Sequence, residues 1–121
     1  MPGSDGRLDV VATPIGNLAD LTPRARTSLA EADVVAAEDT RRTGALLAAL
    51  GLSRPMGSVH DYNEQDRIAE ILEWLQQGRR IALVSDAGTP LLSDPGFALV
   101  RAVAAAGFDV AIVTSDKDFY Q

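Results

Sequence analysis

The stretch RIALVSDAGTPLLSDPGFALVRAVAAAGFDVAIVT, residues 80–114, decides the fold. Arg80 to Ser85 is a short apolar run closed by Asp86, Gly88 and Pro90, and its length and composition predict a buried strand. Asp94-Pro95 marks a helix start: a side chain able to accept from the first free amides, then a proline whose fixed φ suits the first helical position. Phe97, Val100, Val103 and Ala104 recur at helical spacing and are expected to form its buried stripe, ending at Gly107. Asp109 to Thr114 is a second apolar strand. Strands this uniformly apolar need helices on both sides, as parallel sheets have.

The same alternation runs back toward the N-terminus. Leu8 to Thr13 is a β-branched run closed by Pro14 and Gly16, which predicts a strand. Thr22-Pro23 repeats the helix-start signature, and Ala25, Leu29 and Ala32 mark one helical face. Asp33 to Glu38 is an apolar strand, followed by a helix from about Thr40, with Leu46, Leu47 and Leu50 inward and a stop at Gly51. Arg54 to His60, interrupted by Pro55 and Gly57, predicts an irregular or edge strand. Asn63 reads as the N-cap of a helix whose Ile68, Ile71, Leu72 and Leu75 share a face and which ends near Gly78. The expected fold is therefore α/β: a three-layer αβα domain with a mostly parallel five-stranded sheet, over residues 1–113, with residues 114–121 as a C-terminal tail.

Composition bounds the function. The chain has 121 residues, 46% of them hydrophobic, enough for one cored domain. No apolar run is long enough for a membrane helix, and the N-terminus lacks the pattern of a secretory signal, so a cytoplasmic location is expected. Cysteine is absent, which removes disulfides and thiolate metal ligands. The net charge of −6 means that no strongly basic surface belongs to the chain as a whole. Arg24/Arg26, Arg41/Arg42 and Arg79/Arg80 are either solvated helix ends or local positive spots.

In a parallel sheet ligands sit beyond the carboxyl ends of the strands, and four segments lie there: TPIGN, AEDTR, HDYNEQ and SDAGTPLLSDPG. Pro14 to Asn17 carries one glycine and a delayed helix, not the Gly-x-Gly-x-x-Gly turn that receives a dinucleotide pyrophosphate. Glu38 and Asp39 are candidates for proton transfer or for hydrogen bonds to ligand hydroxyls, although Asp39 or Thr40 is also needed to cap a helix. His60 has no second histidine or any cysteine with which to build a zinc site. Tyr62 is open to base stacking or substrate contact. The loop after Ser85 resembles the Asp-x-Asp-Gly-Thr of haloacid-dehalogenase phosphatases, but Ser85 and Ala87 stand where that chemistry needs aspartates. It is not a Walker loop either, since no Gly-Lys-Ser/Thr occurs. Two Ser-Asp pairs with Gly88, Gly96, Pro90 and Pro95 make a stiff loop rich in backbone donors, with Asp86 at its mouth, suited to an amino-acid carboxylate or a ribose without metal.

Together, TPIGNLADLTPRA, VVAAEDTRRTGALL, NEQDRI and ALVSDAGTPLLSDPGFALVRA resemble, in order and from about Leu8 to Val110, the small-subunit ribosomal RNA methyltransferases I of the tetrapyrrole methylase superfamily. The resemblance implies S-adenosylmethionine as cofactor and 2′-O-methylation of a cytidine ribose in 16S rRNA, in a cleft between two α/β domains of which this chain matches the first. It also implies donor contacts from Pro14, Ile15, Gly16 and Asn17 and from Ser85, Asp86, Ala87, Gly88, Thr89 and Pro90. Glu38, Asp39, Thr40 and Arg41, with Tyr62, Asn63 and Glu64, would face the cleft on the RNA side, and Glu38 or Asp39 is the candidate for the catalytic base. The chain departs from the pattern at TSDKDFYQ, where the family continues with Pro-Gly-Pro-Ser into its second domain. That ending resembles a metal-binding segment of 5′-nucleases, but so short a match without further carboxylates makes no metal centre, and no metal is expected. The alternatives are a truncated or chimeric fragment without turnover, whose open cleft favours a homodimer, and a tetrapyrrole-type small-molecule methylase.

Overall fold

The computed structural model describes residues 6–13, 21–59, 63–85 and 94–113. Its elements alternate: β1 (Arg7–Ala12), α1 (Pro23–Glu31), β2 (Val34–Ala37), α2 (Thr40–Ala49), β3 (Met56–Ser58), α3 (Glu64–Gln76), β4 (Arg80–Ser85), α4 (Asp94–Ala105) and β5 (Asp109–Val113). The strands form one sheet in the order β3-β2-β4-β1-β5, and every pairing is parallel. The expected α/β architecture is the observed one, with β3 as the short edge strand that Pro55 and Gly57 foretell.

Side-chain alternation divides the core in two. Leu8, Val10, Val34, Ala36, Ile81 and Leu83 meet Ile71 and Leu75 of α3 and Leu99 and Val103 of α4. On the opposite face, Val11, Val35, Ala37, Ala82 and Val84 meet Ala25 and Leu29 of α1 and Leu47 of α2. This division follows from the hand of the crossovers. From β1 to β2 to β3 the chain steps one way across the sheet, and from β3 to β4 to β5 it steps back. Right-handed connections then put the two pairs of helices on opposite faces.

Local chemistry sets the ends. The Thr22 hydroxyl accepts from the Ala25 amide at 3.1 Å, with Pro23 opening α1 as expected. Gly51 and Gly78 follow α2 and α3 with φ of 75° and 85°, a conformation only glycine adopts without strain. Three expectations need correction. Ala32 is buried as the residue closing α1, outside the helix itself. On α4 Val103 is fully buried and Val100 packs against the core as expected, but the other fully buried residue is Leu99, while Ala104 is exposed and Phe97 is 55% exposed beneath the Arg101 guanidinium. Asn63 stands at the N-cap position of α3, yet its side chain makes no cap bond.

Candidate functional site

The direction of the chain reverses between β4 and β1. The chain passes from β1 toward β2 and from β4 toward β5, so these neighbouring strands mark the topological switch point beyond whose carboxyl ends open parallel sheets take ligands. The two strand ends are joined there. The Thr13 amide donates to the Ser85 carbonyl at 2.8 Å, and the Thr13 hydroxyl donates to the same oxygen at 3.3 Å. Both residues are buried, so this pair fixes the points from which the two glycine-containing loops depart. Of the expected donor contacts, Ser85 is thus placed; Pro14 to Asn17 and Asp86 to Pro90 lie outside the described residues, as does Tyr62.

One strand away from the switch point, the carboxyl end of β2 presents Glu38 and Asp39, both exposed. Asp39 is the N-cap of α2: one carboxylate oxygen accepts from the amides of Arg41 and Arg42, each at 3.1 Å. The hydrogen bond from the Arg42 amide holds the Asp39 carboxyl below its usual range, against the opposing effect of desolvation and with help from the Arg41 amide and the two guanidinium charges. Thr40 is half-buried, while Arg41 and Arg42 are exposed.

At the end of β3 the Ser58 carbonyl is clamped from α3. Asn63 Nδ2 donates to it at 2.9 Å and Arg67 Nε donates at 2.9 Å, while the Arg67 guanidinium also pairs with Glu70 at 2.7 Å. Asn63 therefore turns its amide nitrogen toward the protein. Glu64 and Asp66 occupy the first turn of α3, where carboxylates favour the positive end of a helix. A groove of about 420 Å³ runs along this helix, lined by Asp66, Arg67, Glu70 and Glu73 among others. Its carboxylates make it unsuited to a phosphate. Thr13 and Arg67 were not singled out from the sequence. Thr13 had a signal, standing first in TPIGN; Arg67 had one too, four residues beyond Asn63 and hence on the same side of the helix.

Among the described residues no group of three or more His, Cys, Asp or Glu is placed to hold a metal ion, and no helix is long and apolar enough to cross a membrane. The arrangement is that of a parallel α/β protein with its topological switch point between β4 and β1. More narrowly, residues 7–114 match the model of the Tetrapyrrole (Corrin/Porphyrin) Methylases, and the chain belongs to that family of methyltransferases. Curated relatives include the Ribosomal RNA small subunit methyltransferase I of Haemophilus influenzae, 54% identical over 87% of this chain and 37% of that protein. The proteins of the same name from Escherichia coli O157:H7 and Thermotoga maritima are 53% and 48% identical, over 88% and 89% of this chain and 37% and 49% of theirs. The chain thus spans between about two fifths and half of the length of these relatives. The crystal structure of uroporphyrin-III-C-methyltransferase from Thermus thermophilus superposes with a TM-score of 0.72 at 22% identity, over 93% of this chain and 48% of that one, a likeness of fold.

Proposed function

We propose that this chain forms part of an S-adenosylmethionine-dependent ribosomal RNA methyltransferase that methylates the 2′ hydroxyl of a cytidine in 16S rRNA. The observation that carries the reading is the identity of about half of the residues, over most of the chain, with proteins named for small-subunit ribosomal RNA methylation. Thr13 and Ser85 suit the donor: two buried hydroxyl residues at a switch point match a ligand recognised through ribose and amino-acid groups. Pro14, Ile15, Gly16 and Asn17 and Asp86 to Pro90 complete the donor side in this reading. S-adenosylmethionine supplies an electrophilic methyl group. The protein's part is alignment and removal of the hydroxyl proton. Asp39, occupied by its cap and acidified by it, is the poorer proton acceptor, which leaves Glu38 as the base. Thr40, Arg41, Tyr62 and Glu64 face the RNA in this reading, whereas the Asn63 amide nitrogen is held by the Ser58 carbonyl. The same reading implies a cytoplasmic enzyme with the small ribosomal subunit as its partner, and a homodimer, for which sedimentation is the check.

Titration calorimetry of the chain with S-adenosylmethionine and S-adenosylhomocysteine is the test. Binding of both, abolished by Asp86→Ala, is the expected result. Failure of the chain to bind either would refute a donor site built from these loops. Mapping 2′-O-methyl groups on 16S rRNA after incubation with the chain and the cofactor would then decide the substrate.

A further inference from the structure

The peptide that joins Ser58 to Val59 closes the short edge strand β3, and it is held from both sides. Its N–H donates to the Ala37 carbonyl at 2.9 Å, beyond the last register pair of β3 on β2. In a trans peptide the carbonyl points the opposite way, so the Ser58 oxygen is turned from β2 toward the outer side of β3, the edge of the sheet. Two side chains at the start of α3 reach it there: Asn63 Nδ2 donates at 2.9 Å and Arg67 Nε at 2.9 Å. They occupy both lone pairs of the oxygen, and the bond from the guanidinium is charge-assisted. The guanidinium lies along β3, since a methyl group on Gly57 would stand 3.7 Å from its central carbon.

The line of bonds continues past β3. The Ala37 carbonyl that accepts from Val59 belongs to the peptide whose nitrogen is that of Glu38, so two peptides in series connect Arg67 to the backbone of Glu38. Ala37 and Val59 are buried, which keeps water out of the line, and hydrogen bonds in such a chain polarise one another. Protecting a strand edge needs a charge or a donor anywhere along it. Here both donors meet on the one carbonyl that leads to Glu38, and Asn63 does so while making no cap bond to α3. We infer that Arg67, beside Asn63, is a positioning residue for Glu38: it ties the first turn of α3 to the strand end from which Glu38 leaves the sheet. This rests on the reading of Glu38 as the base and names what holds it in place. A base acts only within hydrogen-bond reach of the proton it takes, and a misplacement of about 1 Å can cost about 100-fold in rate.

Three variants of the full chain test this. Arg67→Met keeps the aliphatic stem and removes the donor, and Arg67→Lys restores a cationic donor. Glu70→Gln removes the 2.7 Å ion pair of Arg67 and leaves its bond to Ser58. Amide hydrogen exchange, followed by NMR, reads the clamp at Val59. The Val35 amide, bonded to the Pro55 carbonyl at 2.9 Å where the chain enters β3, is the reference. Arg67→Met speeds exchange at Val59 about tenfold relative to Val35 and displaces the Glu38 amide signal, whereas Arg67→Lys and Glu70→Gln do neither. With S-adenosylmethionine and a 16S rRNA transcript, Arg67→Met lowers kcat by about 10- to 100-fold, leaves the KM for the cofactor unchanged, and is rescued in Arg67→Lys. No change at Val59, or an equal rise at Val59 and Val35, would overturn the assignment, as would an undiminished kcat in Arg67→Met. If the unaltered chain transfers no methyl group, the reading of the chain as a methyltransferase falls, and the Glu38 signal alone decides. Displaced in Arg67→Met it supports the clamp; unmoved, it overturns it.

Discussion

Removing both Arg7 and Arg80 strands the Asp9 carboxylate in the core, and the size of the loss follows from how unequally the cluster is buried. Asp9 lies on the α1 face of β1 with its side chain 4% exposed. Arg7 Nε donates to it at 2.9 Å, and Arg80 lies 3.9 Å from its other oxygen. Those guanidiniums are 38% and 34% exposed, and Arg80 also reaches Glu31 at 2.6 Å. The carboxylate depends on its partners for solvation, whereas the partners have water of their own. Arg7→Ala alone leaves Arg80 in place and is expected to cost about 1–2 kcal/mol, between the values for exposed and buried pairs. The double variant leaves an uncompensated buried charge and is expected to cost about 3–5 kcal/mol.

The decisive comparison adds Asp9→Ala to the double variant. Deleting the stranded carboxylate removes the unsolvated charge, so the triple variant is expected to be more stable than the double. Urea unfolding followed by circular dichroism at constant salt gives the three free energies, and the midpoint shifts scale at about 4 °C per kcal/mol in a thermal check. A double variant that loses under about 1 kcal/mol, or a triple variant no more stable than it, would falsify the account. Binding at the carboxyl edge is expected to be unchanged in every variant that remains folded, because the cluster lies at the opposite end of the strands.

Three further changes probe other parts of the fold. Leu75→Ala, at a position fully buried beneath α3, is expected to lower stability by about 3 kcal/mol in urea unfolding. Gly6→Ala places a methyl group against the Leu75 carbonyl, backbone against backbone, and is expected to cost about 1–3 kcal/mol by the same measurement. The lowered pKa of Asp39 means that its cap stabilises α2 fully above the carboxyl's unfolded value and is lost as the pH falls through the folded one. Asp39→Asn keeps a cap without the titration, so its unfolding midpoint is expected to fall less steeply on acidification below about pH 4.

What the sequence made legible was local. Thr22-Pro23, the apolar runs and the glycines after the helices fix elements within a few residues of themselves, and each was read from its own neighbourhood. The sheet order was not legible, because placing β4 between β2 and β1 depends on contacts across the whole chain. The same holds for side chains whose partners are remote. Asn63 reads as a cap by its spacing, but Ser58 offers its amide a carbonyl, and the tertiary bond prevails over the local one. Asp33 reads as part of a strand, yet its carboxylate accepts from the Arg80 amide at 2.9 Å. Phe97 fits the helical period, but Leu99 and Val103 are the residues of α4 that reach the core. For the candidate site, motif and strand end were readable together, whereas the link from Thr13 to Ser85 required the register of β1 on β4.

The two ends of the sheet match their charges by different routes. At the amino edge the match is tertiary: Arg80 meets Glu31 at the carboxyl end of α1, where a cation suits the helix, and it shares Asp9 with Arg7. At the carboxyl end of β2 the match is local: the Asp39 carboxylate accepts from the Arg41 and Arg42 amides at the start of α2, and the two guanidinium charges help hold it below its usual range. The first depends on the register of β1 on β4, whereas the second depends only on residues 39–42. Disturbing the first therefore tests the tertiary fold, and disturbing the second tests one helix end.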